Sequence, residues 1–319
     1  MKIKIGYVAI ALVLENVTSS STLTYARYQK LGTEAERLKK LKEVTYSNIE
    51  ALEKILRYNI ENDIHFYRIT SNFIPLATHP EVMWDYIKYF KKDFEYLGKI
   101  IKDNNMRVDA HPDQFNVINS DKETVVENTI RTLNMQVDLF EAMNYDEGKM
   151  VIHVGGGKGG KEVAINRFID NLEKVPKRIK NRLILENDDK TFSAKDVLSI
   201  CKATSLPMVL DVHHHDCKNE GECVGDLLEE VFDTWKNEEL VPKIHFSSPR
   251  EFVNDRKHAD YIEAQSFFNF IELVKGKINK DFDVMIEAKA KDLAVFKLIE
   301  DLKEINRDIK FIDKTTIEI

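Results

Sequence analysis

The stretch MVLDVHHHDC (208–217) sets three consecutive histidines two residues after Asp211. Three adjacent imidazoles cannot share one direction. In an Asp-x-x-His spacing, a chain leaving a strand at Asp211 can turn His214 back to the same point. His213 and His215 then face elsewhere, toward supporting contacts or solvent. Imidazole and carboxylate are the donors that Zn²⁺, Mn²⁺ and Fe²⁺ prefer. The same residue types recur behind other short apolar runs: Asp109 and His111, His153, Glu186, His245 and Glu287. His79 falls in the segment after a further run. His79, His111, His153, Glu186, Asp211, His214, His245 and Glu287 are too many ligands for one tetrahedral site, so they imply a cluster of several divalent cations.

Such a convergence needs a scaffold. Eight apolar runs recur along the chain, at 3–8, 65–70, 107–112, 149–155, 182–188, 207–214, 243–248 and 283–289. Each has the length and the Val/Ile/Leu content of a parallel strand covered on both faces. Segments with helical apolar spacing separate them. One is VMWDYIKYFKKDFEYLGKII (82–101), with Pro80 near its expected start. Another, the charge-rich 37–62, reads as the solvated face of the first helix. An open doubly wound sheet uses the same alternation, but eight strands favour a (β/α)8 TIM barrel, whose C-terminal strand ends meet at one mouth. No Pro/Gly-rich boundary divides the chain, so one barrel domain over 1–319 is expected.

The 319 residues carry a formal net charge of −7 and are 43% hydrophobic. The negative balance argues against a general nucleic-acid binder, although carboxylates that hold cations are neutralised in use. A basic rim around the mouth would then have to grip any nucleic acid. The chain shows no long apolar run and so no membrane span. MKIKIGYVAIALVL begins like a signal peptide but reads better as a first strand. Three cysteines, Cys201, Cys217 and Cys223, make no disulfide framework and fit a reducing, cytoplasmic setting. Cys217 and Cys223 with His213 and His215 match no standard zinc-knuckle spacing. GGGKGG (155–160) followed by Lys161 and Glu162 approaches a P-loop, but Glu162 stands where Ser or Thr must reach Mg²⁺. The stretch reads instead as a strand-to-helix turn needing positive φ, or as a loop near a phosphate.

FYRITSNFIPLATHP (66–80), HPDQF (111–115), HVGG (153–156), LENDDK (185–190), DVHHH (211–215), PKIHFSS (242–248) and MIEAK (285–289) occur in this order. Together they resemble the UV damage endonucleases, TIM-barrel DNA-repair enzymes akin to the metal-dependent AP endonucleases. The resemblance runs from IGY (5–7) to EAKAKD (287–292). It implies the eight ligands named above, together with Lys243 as a carboxylated lysine. It further implies three divalent ions, manganese first and zinc second. Gln114 and Phe115 would be inserted at the lesion, with Phe in place of the family's usual Tyr. Tyr7 matches a DNA-contact position, and Asn16 matches another across an apparent insertion.

The expected activity is therefore hydrolysis of damaged duplex DNA immediately 5′ to UV photoproducts, with abasic sites as a further substrate. Glu186, Glu287 and Lys243 would be catalytic and the protein a monomer. A metal-dependent sugar isomerase or epimerase shares the barrel and strand-end carboxylates but needs fewer histidines and one or two metals. A non-catalytic lesion sensor would not require eight ligands.

Overall fold

The computed structural model describes residues 1–306 and 308–319. The eight runs form β1 (Lys2–Val8), β2 (Phe66–Ile69), β3 (Arg107–Ala110), β4 (Met150–His153), β5 (Leu183–Glu186), β6 (Met208–Asp211), β7 (Lys243–Phe246) and β8 (Phe282–Ile286). They pair in parallel in chain order. β1 closes the ring by pairing with β8 (Ile5 opposite Val284) and with β2 (Tyr7 opposite Tyr67). The fold is the (β/α)8 TIM barrel that the alternation predicts.

Helices fill the crossovers. α1 (Tyr25–Gln29) and α2 (Glu34–Glu61) follow β1, α3 (Tyr86–Asp103) follows β2, and α4 (Glu123–Ala142) follows β3. α5 (Lys161–Leu172) and α6 (Lys177–Lys180) follow β4, and α7 (Ala194–Thr204) follows β5. α8 (Val212–Cys217) and α9 (Val224–Asp233) follow β6, α10 (Ala264–Lys277) follows β7, and α11 (Lys291–Ile305) follows β8. Thr33 and Glu36 form a capping box at the start of α2, satisfying two otherwise unpaired amides. One face of α2 buries Leu41, Ile49, Leu52, Ile55 and Leu56, leaving its charges on the other. α3 starts at Tyr86 rather than near Pro80. Met83, with φ of 32°, interrupts the chain, and the Asp85 carboxylate accepts from the Lys88 amide to cap the helix.

Alternation along the strands separates two environments. Ile3, Ile5 and Tyr7 of β1 join the large core between sheet and helices. Val8 packs instead with Phe66 and Met285, and Val151, Ile184 and Val209 pack with Trp235; these two small clusters fill the barrel interior. Each fully buried aliphatic side chain contributes about 1.5–3 kcal/mol. The interior also carries charge. Lys243 Nζ donates to Asp109 Oδ2 at 2.7 Å, and Arg107 donates to Asp283 Oδ2 at 2.8 Å. All four side chains are buried.

Two differences from the expected elements matter for the site. The run expected over 207–214 ends as a strand at Asp211, and Val212–Cys217 turn into α8. Asp211 caps that turn: its Oδ1 accepts from the His214 amide at 2.7 Å. β9 (Lys310–Phe311) and β10 (Thr316–Glu318) form an antiparallel extension on Lys2–Lys4 of β1. Their two and three residues are too short to register as periodicity. In the glycine loop, Gly155 has φ of 116°, and a Cβ there would fall 2.2 Å from Asn119 Oδ1. Lys161 is ion-paired with Asp196 and Glu220, both at 2.8 Å, which leaves no phosphate-cradling role for it.

Candidate metal centre

Glu186 ends β5 and points into the mouth, 1% exposed. Four imidazoles surround it. His245 Nδ1, from β7, lies 2.6 Å from its Oε1, and His111 Nε2, just past β3, lies 3.0 Å from its Oε2. His153 Nε2, at the end of β4, lies 3.6 Å from Oε2, and His214 Nδ1, in the first turn of α8, 3.9 Å from Oε1. Glu287, past the end of β8, lies 3.3 Å from His245 Nδ1 and is ion-paired with Arg68 of β2. Asp211 Oδ2 lies 3.7 Å from His214 Nδ1.

These side chains form three groups able to hold a cation: His111, His153 and Glu186; Glu186, His245 and Glu287; and Glu186, Asp211 and His214. Glu186 belongs to all three, so its two oxygens are placed to bridge neighbouring ions. The donor set fits divalent cations. Asp211 Oδ2 and His245 Nε2 are buried without a hydrogen-bond partner, a costly state in a site without cations.

The electrostatics follow from burial and crowding. Burial alone would raise Glu186, but the imidazoles of His245 and His153 outweigh it and hold the carboxyl well below its usual range. Burial would also raise Glu287, and Arg68 and His245 bring it down. Burial pushes Asp211 up to about 8 and His245 down to about 4. His214 is pushed down by burial, but Asp211 more than compensates and lifts it to about 9. The Asp211–His214 pair therefore retains a proton that an arriving cation must displace.

The other predicted residues are placed as follows. His79 joins none of the three groups. Its ring stacks on Tyr25 at 4.0 Å between centroids, and its Nδ1 accepts from the Glu81 amide. His111 is grouped with His153, and Glu287 with Glu186 and His245. Lys243 lies two residues below His245, bonded to Asp109 and outside the three groups; burial brings its amine down to about 8. Gln114 and Phe115 are exposed on the loop after β3, Phe115 at 77%. Asn16 is exposed on the loop after β1 with φ of 61°. Tyr7 does not reach the surface: alternation turns it to the helix side, where it is fully buried and its hydroxyl donates to Asn59. His213 and His215 are also buried rather than solvent-facing. Neither forms a metal group with Cys217 or Cys223 among the described residues.

Sequence reasoning missed two residues. Arg68 is the one charge in FYRI and shares the inward parity of Phe66, which was a readable signal. His258 lies in the long loop after β7, and no periodicity marks it. Its ring lies 5.5 Å from that of His213 and 6.2 Å from that of His214, and its Nδ1 is 2.8 Å from the Glu287 carbonyl.

Fold and site together define a TIM-barrel enzyme with a candidate multi-metal cluster at its C-terminal mouth. A family model described as UV-endonuclease UvdE matches residues 3–319. A UV DNA damage endonuclease from Bacillus cereus (strain Q1) is 41% identical over 319 residues, all of both chains. The crystal structure of SacUVDE superimposes with a TM-score of 0.84 at 34% identity, covering 95% of this chain and 99% of that one. The chain belongs to the UV-endonuclease UvdE family and is a nuclease, a hydrolase acting on DNA. A 3-keto-D-glucoside 4-epimerase from E. coli, at 14% identity and a TM-score of 0.54 over 95% of this chain and 99% of its own, shares the fold alone. Among the described residues, no helix is long and apolar enough to cross a membrane.

Proposed function

We propose that this chain, as a single-domain cytoplasmic monomer, nicks duplex DNA immediately 5′ to UV photoproducts, both cyclobutane dimers and 6-4 photoproducts. Abasic sites are a second substrate class. The observation that carries the reading is the membership of Glu186 in three cation-competent groups at one mouth. Three divalent cations, manganese before zinc, would activate a water at neutral pH and neutralise charge on the phosphoryl oxygens. Glu186 would bridge them. His111 with His153, His245 with Glu287, and Asp211 with His214 would complete the three places. Arg68 holds the Glu287 carboxylate in position. The products would be a 3′-hydroxyl and a 5′-phosphate.

Lesion choice would come from mechanics rather than base sequence. A photoproduct pairs and stacks poorly, so extruding it costs less than extruding normal bases. Phe115 offers a flat apolar face to fill the gap, and Gln114 a polar group beside it. The family's carboxylated lysine would be Lys243: burial favours the neutral amine that CO₂ requires, and the Asp109 pair opposes it. Intact-mass analysis reading the addition of one CO₂, absent in Lys243→Arg, tests the modification.

The deciding assay uses supercoiled plasmid, irradiated or not, with and without a chelator. Chelator-sensitive nicking confined to irradiated plasmid is the expected result. Equal cleavage of undamaged plasmid would overturn the lesion-specific reading.

A further inference from the structure

The three most exposed large apolar side chains among the described residues are Val253 (84%), Phe115 (77%) and Phe252 (65%). Phe115 sits on the loop after β3, and Phe252 and Val253 on the loop after β7. In a closed ring of eight strands, β3 and β7 are four places apart in either direction. The two loops therefore leave the ring from opposite sides of the mouth, with the Glu186 cluster between their strand ends; the β7 loop then leans toward α8 and the loop after β5, where Cys217 Sγ donates to the Asn254 carbonyl at 3.5 Å and Arg256 pairs with Asp189.

The β7 loop is braced. Pro249 and His258 form an antiparallel bridge, and the Arg250 amide donates to the Lys257 carbonyl at 2.9 Å. Asp255, 6% exposed, accepts from the amides of Glu251 and Lys257, and its own amide donates to the Phe252 carbonyl. His258 ties the base of this finger to the Glu287 carbonyl at 2.8 Å. A single exposed apolar residue is ordinary, but two adjacent ones at the tip of a fastened finger are not. Arg250 and Lys257, both exposed, flank the tip, with the exposed Glu251 between Arg250 and Phe252. An apolar tip between cations matches a nucleic-acid duplex, whose phosphates meet the cations while a base step admits the wedge.

We infer that Phe252 and Val253 form a second wedge, on a different loop from Phe115, entering the base stack and helping to open the duplex at the lesion. The inference rests on the DNA-repair reading above. Two wedges, on loops that leave the ring from opposite sides, bend and unstack the DNA between them, presenting the intervening phosphodiester to the cluster.

The test uses the holoenzyme in single-turnover stopped flow, with a photoproduct duplex carrying 2-aminopurine opposite the lesion. Wild type should give a fluorescence rise before nicking. The Phe252→Ala/Val253→Ala variant should give a smaller rise and a kcat/KM about tenfold lower, and Phe252→Trp should restore both. On a duplex already mismatched at the lesion, the double variant should match wild type, because opening is no longer required. A rise equal to wild type, or a defect that persists on the mismatched duplex, would overturn the wedge. So would a change confined to sedimentation, which would make the tip a contact with a second copy. Wild type that neither unstacks nor prefers the lesion would instead fail the DNA-repair reading itself.

Discussion

The interior layer of Arg107, Asp109, Lys243 and Asp283 contains two cations and two carboxylates, paired within the layer, at 2.7 Å for Lys243–Asp109 and 2.8 Å for Arg107–Asp283. At the mouth, three carboxylates, Glu186, Asp211 and Glu287, face one guanidinium, Arg68, and a set of imidazoles. The same strands run through both layers: Asp109 precedes His111 and Lys243 precedes His245, each by two residues. Identical scaffolding thus carries a layer whose fixed charges pair off within it and a layer whose carboxylates outnumber its guanidinium three to one. Buried charge alone does not mark function. Buried carboxylates in excess of their fixed cationic partners do.

Glu186→Gln gives the largest break in this contrast. The amide keeps the shape but loses the bridging charge, so kcat should fall by at least about 10³-fold with DNA affinity little changed. Plasmid nicking and a binding titration, run side by side, measure both; full activity would remove Glu186 from the chemistry. The lower layer should respond differently. Where intact mass shows Lys243 unmodified, Lys243→Met strands the Asp109 carboxylate and should cost about 3–5 kcal/mol in chemical denaturation, with much of the loss recovered when Asp109→Leu is added. Bound metal should stay at the wild-type level in the refolded single variant. If metal is lost together with stability, the two layers are one unit and the contrast fails.

Much of this division was legible in the sequence. Glu186, Asp211 and His245 mark strand ends by residue type, because a charged residue closing an apolar run has few other uses at a barrel mouth. The Asp211-x-x-His214 spacing picks out the histidine that shares a cation-competent group with Asp211, brought there by a helical turn rather than a continued strand. Tyr7 was misplaced: its parity with Ile3 and Ile5 assigns it to the helix side, a signal that outweighs the motif match. His258 was not readable, because a braced loop rather than a strand brings it to the cluster. The pairing of Lys243 with Asp109 joins residues 134 apart in sequence, and neither local spacing nor composition encodes it.

Two smaller effects sharpen the comparison. Phe115→Ala should lower kcat/KM on a photoproduct duplex about tenfold while leaving metal content untouched, since base stacking on an aromatic face is lost and the cluster is not. Phe115→Tyr should retain the wild-type rate; an equal loss in both variants would discount stacking. Cys217→Ser should change neither metal content nor nicking, because Cys217 joins no metal group among the described residues. Metal lost in that variant would revive a separate zinc site.

Elemental analysis of the purified protein tests the central claim most directly. Wild type should carry about three divalent ions per chain, one for each group that contains Glu186, and Glu186→Gln should lose most of them together. A wild-type content near zero, or a variant that retains the full complement, would contradict a cluster built around this carboxylate.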